Sequence, residues 1–213
     1  MTEISIRIPA SAKSSGKAIF VMLGTGFDEI EALAPVDVMR RGGMEVYTVS
    51  MNDNRLVKGA TGNIIVADMG ISDLNANQID WLIFPGADKS EAAVNLDKKL
   101  QKLVMAHWEN GGNVAAICAA PALVLGPLGI IKDTEATGYP FLKDDFEKNG
   151  GKYSEEDVVT GERLITSKGP GTALEFALAI VRKAKGEEIE KALREGMVIC
   201  GCNCDDNCGC GCK

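Results

Sequence analysis

The sequence predicts a doubly wound α/β domain, a mostly parallel sheet with helices on both faces. Three observations predict it. Short continuous apolar runs recur along the chain, as strands buried on both faces require. Segments of helical periodicity alternate with those runs. The connections are short, which in a parallel sheet implies right-handed crossovers.

Taken in order, "KAIFVML" (17–23) reads as the first strand and "DEIEALAPVDVMRRGG" (28–43) as the first helix, stopped by Gly-Gly. "EVYTVSM" (45–51) and "WLIFPG" (81–86) read as the next buried strands. "NLDKKLQKLVMAHWENGG" (95–112) is a helix that again ends on Gly-Gly, and it feeds the strand "NVAAIC" (113–118). An apolar helix is expected from Ala119 onward, and "TALEFALAIVRKAKG" (172–186) reads as a further helix near the end. Shorter strands around 63–69 and 157–169, with a turn-rich stretch near 135, complete or decorate the sheet. There is no internal repeat. The expected organisation is an N-terminal extension (1–16), one domain (17–198) and a cysteine-rich tail (199–213).

With 213 residues and 46% apolar content, the chain can bury a substantial core. Its apolar stretches are shorter than a membrane span, so no membrane association is expected. The net charge of −7 leaves no basic stripe to neutralise phosphates, which argues against a nucleic-acid surface. "MTEISIRIPASAKSSGK" has no signal-peptide core, and one thiol in residues 1–199 points to a reducing, cytoplasmic setting. The tail differs. Cys200, Cys202, Cys204, Cys208, Cys210 and Cys212 fall within thirteen residues, spaced by Gly, Asn and Asp. Such a segment cannot form a core but can wrap thiolates around a soft metal, Zn or Cu(I); a non-native or unstructured appendage is the alternative.

In an open parallel sheet, ligands bind outside the carboxyl ends of the strands. That edge receives "GTGFDEIE" (24–31), "PGADKSE" (85–91) and Cys118. A dinucleotide does not suit the first loop, because Glu29 occupies the third-glycine position and Asp28, Glu29 and Glu31 crowd the helix start. Asp28 and Glu29 are accounted for by the helix dipole. Glu31 sits one turn in, flanked by apolar residues, where it can face the strand ends and act as acid or base beside Cys118. Cys118 occupies a strand-to-helix bend, the geometry of a nucleophile elbow, and a helix N-terminus there is expected to lower its pKa. Pro121 suits the opening turn. Free cysteine is also a common core residue, and the elbow glycines of hydrolases are replaced by Ala116 and Ala120. The one histidine, His107, is expected on the helix surface at the opposite strand end, about 16 Å from Cys118, so no Cys–His dyad forms.

"FDEIEALAPVDVMRRGG", "IFPGA", "AAICAAPALVLGPLG", "ATGYPFLKD" and "LITSKGPGTALEFALAIV", in order over residues 17–198, resemble the DJ-1/ThiJ branch of the DJ-1/PfpI superfamily. The resemblance implies a flavodoxin-like fold, a homodimer, and a reactive cysteine that maps onto Cys118. The family's acidic partner maps onto Glu31 and its backbone donors onto Gly86, Ala87 and Ala119. It implies deglycase or glyoxalase chemistry on methylglyoxal or glycated protein, with no cofactor in the main domain. It also implies an alternative role as an oxidation sensor or chaperone, in which Cys118 becomes a sulfinate. Tyr139 stands where some relatives carry a histidine before proline, and its hydroxyl can face the pocket. Ala119 stands where PfpI-type peptidases carry a histidine, so a peptidase reading lacks its base.

Overall fold

A computed structural model describes residues 16–199; the N-terminal extension up to residue 15 and the six tail cysteines lie outside the described residues. The chain runs β1 (Ala18–Leu23), α1 (Glu29–Arg41), β2 (Val46–Ser50), β3 (Leu56–Lys58), β4 (Ile64–Val66), β5 (Met69–Gly70), β6 (Ile79–Phe84), α2 (Lys89–Asn95), α3 (Lys98–Glu109) and β7 (Asn113–Ile117). A π-helical turn (Pro121–Leu125) follows, then β8 (Glu135–Ala136), α4 (Lys143–Lys148), β9 (Lys152–Tyr153), β10 (Val158–Thr160), β11 (Leu164–Ser167), α5 (Ala173–Lys185) and α6 (Glu187–Gly196).

Seven strands form one sheet in the order β10-β11-β7-β6-β1-β2-β5, and only the edge strand β10 pairs antiparallel. Its five long parallel strands follow the flavodoxin-like order, so the direction of winding reverses between β1 and β6. The strands read as continuous apolar runs because both faces are covered. Ile19, Val21 and Leu23 of β1 pack with Trp81, Ile83, Ala115 and Ile117 against α1 and α5. The alternate set, Phe20, Met22, Leu82, Phe84, Val114 and Ala116, packs toward α3, α4 and the π turn. The period-2 alternation of side chains thus splits each strand between two cores.

Helix starts follow local chemistry. Asp28 accepts from the backbone N–H groups of Ile30 (2.9 Å) and Glu31 (3.1 Å) and caps α1, while Asp88 and Asp97 cap α2 and α3. Gly42 closes α1 and Asn110 closes α3, each followed by a glycine at positive φ.

Two expectations change, and three helices were not expected. The strand expected at 63–69 divides: β4 joins β3 in a separate antiparallel hairpin, and only β5 enters the sheet. The apolar helix expected from Ala119 is a five-residue π turn, closed by Gly126 N–H donating to Pro121 O at 2.9 Å. Short α2 and α4 carry too few apolar positions to show periodicity, and α6 is fixed by a long-range contact, the Arg194 guanidinium on Glu175 of α5.

Candidate active site

The loops after β1, β6 and β7 meet where the winding reverses. Phe27 and Ala87 form an isolated antiparallel bridge between the first two loops, and Asp28 N–H donates to Gly86 O at 2.9 Å. Both loops are therefore fixed to each other before either reaches the cysteine.

Cys118 stands directly after β7 with φ 62°, in the left-handed region that a side chain adopts only at a cost of about 1 kcal/mol or more. The surrounding backbone holds it there. Its N–H donates to Ser167 O at 2.9 Å, from the end of β11, and its carbonyl accepts from Tyr139 N–H at 2.7 Å. This is the strained strand-to-helix bend of a nucleophile elbow, with the thiol half-buried at the strand ends.

Glu31 comes from the first turn of α1 and is completely buried. Its Oε2 accepts from Gly86 N–H at 2.7 Å, its Oε1 has no hydrogen-bond partner, and the Cys118 thiol lies beside the carboxyl. Burial pushes the carboxyl up to about 7, against the opposing pull of the Cys118 thiol and the Gly86 hydrogen bond. A carboxyl poised there exchanges its proton near neutral pH, as a general acid or base requires.

The thiol departs from expectation in the opposite direction. Burial, then the charge of Glu31 beside it, push Cys118 above its ordinary range, against the opposing pull of the Ala119 N–H. A helix dipole needs several aligned turns, and behind Cys118 there is a single π turn that begins three residues later. The pair is therefore a protonated thiol beside a carboxyl that titrates near neutrality.

Glycine at 86 is a consequence of this packing. A Cβ there would lie 2.7 Å from Glu31 Oε2, 2.9 Å from Cys118 Cβ and 3.2 Å from Ala119 N. The Gly86 N–H is committed to Glu31, which makes Gly86 an orienting donor for the carboxyl, while the Ala119 N–H is directed at the sulfur. Ala87 belongs to the bridge with Phe27. Tyr139 borders the site from the opposite side: a Cβ built on Gly169 would lie 3.9 Å from Cys118 Sγ and 4.0 Å from Tyr139 Cδ2. Ser167 and Gly169 join the site unforeseen; the run "TSKGPG" after an apolar strand is the sequence signal for them.

The other acidic residues of "FDEIE" divide the work. Asp28 caps α1, as its position implies. Glu29 does more than serve the dipole: it accepts from Thr61 N–H (3.1 Å), Thr61 Oγ1 (2.5 Å) and Asn63 Nδ2 (3.2 Å), fastening the β3–β4 turn to the start of α1. His107 lies at the other end of the strands, where Nε2 donates to Asn113 O at 3.0 Å. It is half-buried there, and burial holds its pKa below the ordinary value. Among the described residues, no group of three or more His, Cys, Asp or Glu side chains is arranged to hold a metal.

The DJ-1/PfpI family profile matches residues 17–183. Protein dj-1beta of Drosophila melanogaster is 32% identical over 183 residues, 86% of this chain and 97% of that protein. The glutathione-independent glyoxalase DJR-1.2 of Caenorhabditis elegans is 36% identical over 166 residues, 78% of this chain and 87% of that protein. Among solved structures, oxidized Toxoplasma gondii DJ-1 superposes with a TM-score of 0.79 at 30% identity, over 86% of this chain and 98% of that one.

Proposed function

Since the chain belongs to the DJ-1/PfpI family, we propose that it is a cysteine-dependent enzyme acting on small α-dicarbonyls such as methylglyoxal, or on their early protein adducts. One observation carries the reading: the buried Glu31 carboxyl, oriented by Gly86 and poised near neutrality, lies beside a thiol held at a strained bend. A relative named a glutathione-independent glyoxalase supports it.

The chemistry balances without an external oxidant. Glu31 takes the Cys118 proton as Sγ bonds to the aldehyde carbon, and the resulting alkoxide is protonated to a hemithioacetal. Glu31 then moves a proton from C1 to C2, so that C1 is oxidised and C2 reduced, giving a 2-hydroxy thioester. Water cleaves the thioester, releasing the hydroxy acid, lactate from methylglyoxal, and regenerating the thiol. Ala119 N–H supplies a backbone donor at the elbow, and the family resemblance maps a second onto Ala87. On an early protein adduct, C1 is a hemiaminal or hemithioacetal; the protein amine or thiol leaves with a proton, the aldehyde is restored, and the same steps from Sγ addition follow.

A second reading is favoured by the unpartnered Glu31 Oε1 and by the oxidized state named for the Toxoplasma gondii relative. Two equivalents of a peroxide would oxidise Cys118 through the sulfenate to the sulfinate, each releasing water, and protonated Glu31 would donate to a sulfinate oxygen, giving a redox sensor or chaperone. Lactate release decides between the two. The enzyme reading expects lactate from methylglyoxal with the wild type and none with Cys118→Ser, whereas equal rates in both remove it from this site, and no turnover in the wild type favours the sensor.

A homodimer accompanies this reading. Leu56 and Val66 are cross-strand partners on the β3–β4 hairpin, and with Ile64 they are exposed on its outer face. Ile30 of α1 is exposed as well. Apolar residues displayed together on a two-stranded hairpin suit burial against a second copy. The tail cysteines, Cys200 to Cys212, add a soft-metal site for Zn or Cu(I) independent of the thiol chemistry.

A further inference from the structure

Phe141 is 84% exposed and its ring lies 5.3 Å from that of Tyr139, tilted by 48°. Tyr139 in turn is joined to the elbow by its backbone, through the 2.7 Å bond to Cys118 O, and by its ring edge, which shares the space above Gly169 with Cys118 Sγ. The Tyr139–Phe141 pair therefore extends outward from the thiol. Pro140 between them opens a 3-10 turn, which limits the backbone freedom of the segment that presents both rings. Phe141 contributes little to either core, and so large an apolar side chain displayed beside a reactive group is suited to contact what the group acts on.

We infer that Tyr139 and Phe141 form an aromatic wall that selects α-oxoaldehydes carrying an aromatic or bulky apolar substituent. The inference rests on the dicarbonyl reading and names the substrate class within it. An aldehyde carbon bonded to Cys118 Sγ places its ketone substituent near the Tyr139 ring, with Phe141 beyond. A methyl group is too small to span both rings, whereas a phenyl group offers them a face or an edge. The wall acts through contact with the substituent and leaves the proton transfers to Glu31.

The test is the ratio of kcat/KM for phenylglyoxal to that for methylglyoxal, measured in the wild type, Phe141→Ala, Phe141→Leu and Tyr139→Phe. The ratio is expected to fall roughly tenfold in Phe141→Ala, less in Phe141→Leu, and to be held in Tyr139→Phe, which keeps the ring. Phe141 is so exposed that folding is not at stake. A ratio that stays within about twofold across the set overturns the wall while leaving the dicarbonyl reading intact. Conversion of a dimer to a monomer by Phe141→Ala also overturns it, since the ring would then be covered by a second copy. Turnover of neither aldehyde by the wild type removes the reading and the wall together.

Discussion

Gly86 N–H donates to Glu31 Oε2 at 2.7 Å, and the glycine lies so close that a Cβ in its place would meet both that oxygen and Cys118 Cβ inside 3.0 Å. Gly86→Ala must push apart the two groups that the proposed reaction uses together. It is expected to lower kcat/KM for methylglyoxal by at least 100-fold and to destabilise the fold by about 1–3 kcal/mol. Steady-state kinetics and urea denaturation measure both, and a variant with near-normal kinetics would contradict the packing.

Glu31 as the base for Cys118 predicts a pH dependence. With its carboxyl at about 7, the competent carboxylate increases as pH rises through neutrality, and kcat/KM for methylglyoxal rises with it. Glu31→Gln keeps the shape and an oxygen for Gly86 but cannot accept the proton. Its turnover should be down by about 100-fold or more, with the neutral limb absent. Persistence of that limb in the variant would assign it to another group.

The same carboxyl bears on stability. A group whose pKa rises from 4.5 to about 7 on folding binds an extra proton in the native state between those values, so stability falls as pH rises across that window. At 1.36 kcal/mol per pH unit, the full difference is about 3 kcal/mol at pH 8. Glu31→Gln should therefore be more thermostable than the wild type at pH 8, by up to that amount, with little gain at pH 4.5. Scanning calorimetry at the two pH values checks it, and an equal effect at both would show that charge is not the cause.

The left-handed backbone at Cys118 inverts an ordinary ranking. Alanine usually stabilises relative to glycine, yet at φ 62° glycine carries no steric penalty. Cys118→Gly is expected to be more stable than Cys118→Ala by about 1 kcal/mol in chemical denaturation. The reverse order would mean that the bend relaxes once the thiol is gone.

For the tail, replacing all six cysteines from Cys200 to Cys212 by serine in the full chain should abolish retention of Zn(II) or Cu(I) after anaerobic loading and desalting. The wild type should keep at least one ion per chain by elemental analysis. Retention by the serine variant would place the metal outside the tail and contradict the proposal.

The long strands and the site edge were legible because strands buried on both faces leave apolar runs such as "AIFVML", and because their direction fixes which loops can meet. Glu31 could be read from its apolar flanks, and Cys118 from its place between strand and turn. The π turn could not, since "PALVL" is equally apolar in any helical form. The upward shift of Cys118 was hidden because it depends on burial and on Glu31, eighty-seven residues away in sequence (118 − 31). Glu29 was read locally as a dipole partner, but its ligands, Thr61 and Asn63, come from a hairpin that periodicity had assigned to the sheet.

The shared direction of β1, β6, β7 and β11 gives the molecule a working end and a handling end. Lys17, Asp80, His107 and Asn113 cluster where these strands begin, about a strand length, roughly 16 Å, from the thiol. A fluorophore or a surface linkage introduced there would leave the reactive face turned to solution, and a sensor or immobilised catalyst built on this chain should be anchored from that side.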